Sequence, residues 1–279
     1  MTSDRAFFTP ATLRLIAAAI IVVNGFFPAV WILLTSFKPE LELVQKPITY
    51  LPQDFTVQNY VQVFAQQPLG LYLLNSVVVA TASTIVTLVV SAFAAYAIAR
   101  LRLRHRDLIL AAIIASSTFP LVTLLVPIFE TMRTLGILNT YPALILPYVV
   151  LSLPVCTLVL VSFFQSIPRD LENAAMIDGA TRFGALWRVV VPLAAPGVFT
   201  AGILAFVNSW DEFLLALSLN SAVRMRTLPV GIALYQGEFT FPWHIISAAL
   251  VIAIVPIAVL IALFQERVVG GLTAGGMKG

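Results

Sequence analysis

The chain has few of the residues that keep a protein soluble in water. Charged residues make up 10% of its 279 residues, apolar residues make up 60%, and the mean hydropathy is +0.98. A soluble domain has about a quarter of its residues charged and about half apolar. The composition therefore excludes an ordinary soluble domain and predicts an integral membrane protein.

Residues that build metal sites and disulfides are equally scarce. The single cysteine, Cys156, has no internal disulfide partner and does not indicate a redox compartment. The two histidines, His105 and His244, are far apart and lie near no cysteine or carboxylate cluster at ligand spacing. We therefore predict no metal site. Because no nucleophile and base pattern is visible either, we predict no catalytic residues and no enzymatic activity.

Six apolar stretches are long enough to cross a membrane, which takes about 20 residues of helix. Lipid offers no partner for unpaired backbone groups, so we expect each stretch to be helical. They cover residues 15–36, 72–99, 108–129, 142–163, 193–217 and 245–264, and Asp211 and Glu212 interrupt the fifth. The predicted fold is all-α, with six transmembrane helices in a single domain over residues 1–279.

Basic residues are distributed unequally between the two sides of the predicted spans. Eleven Lys and Arg lie on the side that holds both termini, and five lie on the other side. The positive-inside rule places both termini, the run 100–107 (RLRLRHRD) and the polar segment 168–192 in the cytoplasm. We interpret the basic run as an anchor at the lipid head groups, so the pI of 9.2 requires no nucleic-acid partner.

Segment 168–192 is the polar interruption between the fourth and fifth stretches. Ser166 and Pro168 predict a helix start, and Gly179 predicts its end. A second short helix is expected to begin at Thr181 and run through Trp187, and Pro192 is expected to mark entry into the fifth span. On the first helix, a face with small side chains open to close approach by another protein contains Leu171, Ala174, Ala175 and Asp178, while Asp170 and Glu172 lie in its first turn. An ordinary amphipathic helix pair at the membrane surface is the alternative.

The motif NSWDEF, residues 208–213, places polar groups inside the fifth predicted span. Ionisable groups in a span are costly and usually face a watery cavity or the bundle interior. An aromatic ring beside amide and acid groups suits a sugar. We therefore predict that Asn208, Trp210, Asp211 and Glu212 line a substrate path. A polar cluster that joins neighbouring helices is the alternative.

Ten strings in order resemble the maltose-transporter type of carbohydrate ABC permease, across essentially the whole chain. They are TSFKP, NYVQVF, LLNSVVVA, AAYAIAR, LGILNTYPALILPY, IPRDLENAAMIDGA, VVVPLAAPG, FVNSWDEFLLAL, TLPVGIALYQG and FQERVVGGLTAGGMKG. The segment 168–192 resembles the cytoplasmic EAA loop of these permeases. The glutamate that names that motif corresponds here to Asn173, with Glu172 beside it.

The resemblance implies a type I importer fold with cytoplasmic coupling helices, in the inner membrane of a prokaryote. It implies a second permease, two ATPase subunits, an extracytoplasmic solute-binding protein and surrounding membrane lipid as partners. It further implies docking to the ATPase through Leu171, Glu172, Ala174, Ala175, Asp178 and Gly179. The tail 272–279 is implied to reach the ATPases through Gly276, Met277 and Lys278, and a disordered terminus is the alternative.

No nucleotide site is expected on this chain. GGMKG at the C-terminus lacks the Ser or Thr and the following helix of a phosphate loop, so ATP and Mg are expected on the partner ATPase. Segments 38–70 and 219–244 are candidates for docking the binding protein, or loops that pack over helix ends. An ion-coupled secondary transporter or a permease for a non-sugar solute remains the alternative function. The sugar itself is left open among maltose, trehalose, glycerol-linked glycosides and oligosaccharides.

Overall fold

The structure is a computed structural model that describes residues 10–101, 103–237 and 240–276, with side chains over 14–101, 103–237 and 240–264. No strand occurs among these residues. The helices are α1 Pro10–Ser36, α2 Glu40–Val44, α3 Gln58–Gln66, α4 Leu69–Arg100, α5 Arg106–Ser117, α6 Leu121–Thr134, α7 Tyr141–Ser166, α8 Arg169–Ile177, α9 Arg182–Ala185, α10 Val191–Leu193, α11 Ala195–Asp211, α12 Leu214–Leu219, α13 Leu228–Ala233 and α14 Trp243–Gly276. A π-helical turn, Leu186–Val190, and a 3₁₀ turn, Val223–Met225, complete the secondary structure.

Four of the helices are long and apolar enough to cross a membrane within the described chain. They contain Arg14–Ser36, Leu69–Arg100, Tyr141–Ser166 and Trp243–Phe264. Two bent pairs pass the same test, so there are six spans if each pair counts as one. The all-α membrane fold is confirmed, and the third and fifth predicted spans need correction.

The third predicted span, residues 108–129, is not one straight helix. α5 and α6 meet at an angle of 92°. Proline lacks the amide hydrogen of a continuing helix and forces the preceding residue out of the helical region, which explains a break at Phe119 and Pro120.

The fifth predicted span, residues 193–217, is also divided. The segment Arg182–Leu193 meets α11 at 83°, so the chain enters α11 after Ala194 and not at Pro192. Glu212 and Phe213 then separate α11 from α12.

The chain forms two compact units, one of Met1–Pro68 with Leu234–Ile254 and one of Leu69–Ala233 with Val255–Gly279. In the first unit, buried Lys38 orders the segment after α1. Its Nζ donates to the carbonyl of Thr49 and lies 3.9 Å from the Glu42 carboxylate. Burial by itself raises the pKa of Glu42, but hydrogen bonds from Thr49 and from the Gln53 and Asp54 amides outweigh it, and the pKa is lowered. The polar groups of this segment are thus largely satisfied internally.

The second unit is built on α4, which packs against α7 and α11. The buried face of α4 consists mostly of small residues, among them Ser83, Ser91, Ala95 and Ala99. Small side chains let helix backbones approach closely in a membrane protein. Gly197 on α11 follows the same principle, because a Cβ there would lie 2.3 Å from the Phe163 ring on α7.

We predict that Gly197→Ala destabilises the protein by about 1 to 3 kcal/mol, the usual cost of overpacking. The ring of Phe163 cannot move away simply, since its own Cβ lies 2.8 Å from the added methyl group. Gly70→Ala on α4 is the matched control, because nothing lies within 4 Å of its added Cβ. Thermal unfolding of the purified variants measures both effects, and an unchanged melting temperature for Gly197→Ala contradicts the close packing of α7 and α11.

Candidate functional site: the surface helix pair and the membrane cavity

The first helix of segment 168–192 forms as its sequence predicts, whereas the second continues past its predicted end at Trp187 through a π-helical turn to Leu193. α8 ends where Gly179 takes a φ of +92°, a conformation that favours glycine. The Gly179 amide donates to Met176 O at 3.1 Å, and the Ala180 amide donates to Ala175 O at 2.9 Å. Thr181 caps α9 by accepting from the Gly184 amide at 3.1 Å. The predicted cap by Ser166 is wrong, because its hydroxyl donates back to Phe163 O in the preceding helix.

One face of α8 is open for contact with another protein. Leu171, Ala174 and Asp178 are exposed and Ala175 is half-buried, and Gly179 is exposed at the helix end. Ile177 was not among the predicted docking residues, yet it is 86% exposed and is the most accessible large apolar side chain among those described. Its position three residues after Ala174 could have predicted this, because residues three apart lie on the same face of a helix.

Glu172 does not belong to that face, which corrects its assignment as a docking residue. It is only 7% exposed, and its Oε2 lies 3.3 Å from Nε of Arg100 at the end of α4. The hydroxyl of Tyr96, one turn earlier on α4, donates to the other carboxylate oxygen. Successive residues of a helix point about 100° apart, so Glu172 faces inward while exposed Leu171 does not.

Arg100 extends this link to the chain before α8. Its Nη2 donates to Ile167 O at 2.9 Å. Arg169 donates in return to Ala99 O at 3.4 Å. We name Tyr96, Arg100 and Glu172 the α4–α8 clamp. No local pattern predicts it, because Tyr96 and Glu172 are 76 residues apart.

A cavity of about 670 Å³ lies within the second unit. Its volume is within the range of about 300 to 1,000 Å³ that is typical of ligand pockets. Its polar lining includes Asn208, Asp211 and Glu212 from the predicted motif, and Ser152 from α7. The Asn208 amide donates to the Ser152 hydroxyl at 3.1 Å. Ser152 was missed, because a single serine in an apolar helix carries no signal.

Glu212 has a structural task at the edge of this cavity. Its carboxylate accepts from the Leu215 amide at 2.8 Å and the Ala216 amide at 3.1 Å, the free donors at the start of α12. The Tyr148 hydroxyl donates to the same carboxylate at 2.6 Å. Glu212 therefore stabilises the break between α11 and α12.

Trp210 does not line the cavity, in contrast to its predicted role. It is 2% exposed and stacks on Phe206 with the ring centroids 5.6 Å apart. Asp211, the next residue, is exposed at the cavity. The motif thus divides into packing residues and cavity residues.

The tail assignment falls mostly beyond what the structure describes. α14 continues through Gly276, so residues 272–276 have a helical backbone. Met277 and Lys278 lie outside the described residues. Contact of this tail with an ATPase stays a prediction.

Long apolar helices, a capped helix pair with one open face, and a mostly apolar cavity that contains a few polar groups are the features of a membrane-embedded transport subunit. Residues 87–273 match the family described as binding-protein-dependent transport system inner membrane component. The chain belongs to this family, which confirms the resemblance to ABC-importer permeases. It is a permease component, and ATP hydrolysis belongs to a separate subunit.

Similar proteins extend over nearly the full chain. The sulfoquinovosyl glycerol transport system permease protein SmoH of Agrobacterium fabrum is 69% identical, aligned over 98% of this chain and 96% of that protein. The trehalose/maltose transport system permease protein MalG of Thermococcus litoralis is 38% identical, over 96% of each chain. The crystal structure of a bacterial ABC transporter involved in the import of the acidic polysaccharide alginate superposes with a TM-score of 0.80 at 20% identity. It covers 94% of this chain and 99% of that one, and shows the shared fold.

We predict that Glu172→Gln destabilises the protein by about 3 to 5 kcal/mol, because it leaves the buried Arg100 guanidinium without its charge partner. Glu130→Gln is the matched control. It breaks the exposed ion pair with Arg133 and is expected to cost about 0 to 1 kcal/mol. The free energy of unfolding in mixed micelles measures both. Equal effects of the two substitutions contradict a stabilising clamp.

Proposed function

We propose that this chain is one of two permeases in an ATP-driven importer whose cargo is a glycoside of the sulfoquinovosyl glycerol type. The identity of 69% over 98% of the chain to a permease of that transport system carries the proposal. The cavity supports it, because Asn208, Ser152 and Asp211 provide donors and acceptors for hydroxyl groups.

The charge of the cavity bears on how such a cargo lies in it. Asp211 and Glu212 are acidic, and no Lys or Arg lines the cavity within the described chain. A sulfonate group is an anion and is repelled by carboxylates. We infer that this chain contacts the sugar and glycerol hydroxyls, and that the second permease provides the cationic contact to the sulfonate.

The α4–α8 clamp supports a route for coupling. The exposed face of α8 is free to contact an ATPase, while the buried pair of Glu172 and Arg100 holds the opposite face to α4. Movement of α8 is therefore transferred to α4, and α4 packs directly against α7 and α11, which carry the cavity residues. In this assignment Glu172 is a positioning residue, and Leu171, Ala174, Ile177 and Asp178 form the docking face.

The remaining partners follow from this arrangement. Two ATPase subunits bind ATP and Mg below the permeases, and an extracytoplasmic binding protein delivers the cargo. Both termini and α8 lie in the cytoplasm, because eleven of the sixteen Lys and Arg residues are on that side. The experiment that tests the assembly is ATP-dependent uptake of sulfoquinovosyl glycerol into proteoliposomes. Uptake is expected only when both permeases, the ATPase and the binding protein are present, and uptake by this permease without the second contradicts the heterodimer.

We predict that Asp211→Ala lowers uptake per assembled complex about ten-fold or more, because a hydrogen bond to a charged group contributes about 1.5 to 3 kcal/mol. Glu130→Ala is the matched control, since this exposed carboxylate lies away from the cavity. Uptake is measured per complex, alongside basal ATP hydrolysis. Unchanged uptake of Asp211→Ala removes this residue from the substrate path.

Trp210→Ala is expected to behave in the opposite way. Removal of a buried aromatic side chain typically costs about 3 to 5 kcal/mol, so its melting temperature falls. Uptake per surviving complex is expected to remain near the parent value, since the ring does not reach the cavity. A loss of uptake without a loss of stability contradicts the packing role.

A further inference from the structure

A second polar pocket lies on the inward side of α8, away from the docking face. It has a volume of about 470 Å³ and is bounded by the last turn of α4, by α8 and by the start of α9. Its charged residues are Arg100, Arg169, Arg182 and Glu172. Three arginines against one glutamate leave a formal charge of +2. The clamp and the proposed transport path do not account for this excess.

Two of the arginines are free to bind a ligand. Arg100 is already paired with Glu172, whereas Arg169 and Arg182 form no ion pair with any described residue. Arg169 makes only a long contact, 3.4 Å, to Ala99 O, and Arg182 is exposed with no side-chain hydrogen bond in the described chain. Arginine presents several donors in a planar fork that suits a phosphate group. The pocket therefore contains unpaired donors that suit an anion with several acceptor oxygens.

The surroundings of the pocket indicate where such an anion comes from. Phe183 follows Arg182, is exposed, and stacks on Phe93 of α4 with centroids 6.0 Å apart. The Trp187 ring lies 5.9 Å from the same Phe93 ring. Arg100 ends the apolar run of α4, so these aromatic rings lie within two turns of the end of a membrane span. Aromatic and basic side chains occur together at the level of the lipid head groups.

We propose that Arg169 and Arg182 bind the phosphate group of an anionic phospholipid head group in this pocket. The volume exceeds what a bare phosphate needs and leaves room for a glycerol group, beside the apolar side chain of Leu101. The phosphodiester of the bound lipid carries one negative charge and lowers the excess charge next to the α4–α8 clamp from +2 to +1. Because Asn173 and Met176 face this pocket while Leu171 and Ala174 lie on the docking face, lipid and ATPase bind different sides of α8.

The test uses the complete transporter complex in detergent, purified by an affinity tag on the full-length form of this chain. Native mass spectrometry measures binding of dioctanoyl phosphatidylglycerol, with dioctanoyl phosphatidylcholine as the neutral probe and glycerol 3-phosphate as the soluble phosphate. The parent is expected to prefer phosphatidylglycerol over both. Arg182→Gln is expected to weaken that binding about ten-fold, as for the loss of a charge-assisted hydrogen bond. Arg169→Gln is expected to act in the same direction.

Arg188→Gln is the matched control, because Arg188 is a nearby exposed arginine that does not line the pocket. It is expected to change the affinity less than two-fold. Equal weakening by Arg188→Gln and Arg182→Gln, or equal binding of phosphatidylcholine, overturns the proposal. Stronger binding of glycerol 3-phosphate than of the lipid overturns the lipid source. Loss of the co-purified ATPase from Arg182→Gln with lipid binding intact assigns the pocket to a protein carboxylate and also overturns it. None of these measurements requires the proposed cargo, so a failure of the transport proposal can be told apart from a failure of the lipid-binding proposal.

Discussion

The buried ion pair between Arg100 and Glu172 is the constraint on which the cytoplasmic half of the second unit depends. Both side chains are withdrawn from water, so neither tolerates loss of the other. The pair fixes the rotation of α8 about its own axis, because Glu172 must face Arg100 on α4. Once Glu172 faces α4, Leu171, Ala174 and Ile177 necessarily face outward. The exposed face proposed to dock the ATPase is therefore a consequence of this ion pair.

A related constraint shapes the cavity. A helix cannot end inside a membrane span unless its free amides and carbonyls find partners. α11 ends at Asp211, and the carboxylate of Glu212 accepts from two amides at the start of α12. The break is thus stabilised by the residue that follows it. It leaves Asp211 at the cavity and turns Trp210 into the packed interior.

Sequence patterns predicted the features that depend on neighbouring residues. The ends of α4 and α7 fall within three residues of the predicted 72–99 and 142–163, because an apolar run must match the membrane thickness. Gly179 and Thr181 were predicted correctly, because capping chemistry is local. The boundaries of the third predicted span did not include the 92° division at Pro120, since the apolar run continues through it and composition alone does not register a change of direction.

Contacts distant in sequence were beyond such patterns. The sequence position of Glu172 predicted an exposed acid in the first turn of α8. Its partners Arg100 and Tyr96 lie on α4, at a distance in sequence that no helical periodicity predicts. The same holds for Ser152 beside Asn208. Trp210 was assigned to the path because it lies in a polar motif, but adjacent residues on a helix face different directions. Family resemblance identified the class of protein, whereas only the packed structure separated the buried residues of α8, the capping residues and the cavity residues from the exposed face of α8.

We propose that α8 and α4 move as one body when the ATPase moves. Cys156 is the chain's single cysteine and is buried, so cysteines introduced at exposed Asp170 on α8 and exposed Val90 on α4 can be spin-labelled selectively. Pulsed electron paramagnetic resonance then measures the distance between α8 and α4 in the complete complex, without nucleotide and after trapping with ATP and vanadate. One narrow distance that is the same in both states, and that broadens when Glu172→Gln is added, agrees with the account. A shift of several ångströms between the two states while the Arg100–Glu172 pair is intact contradicts it.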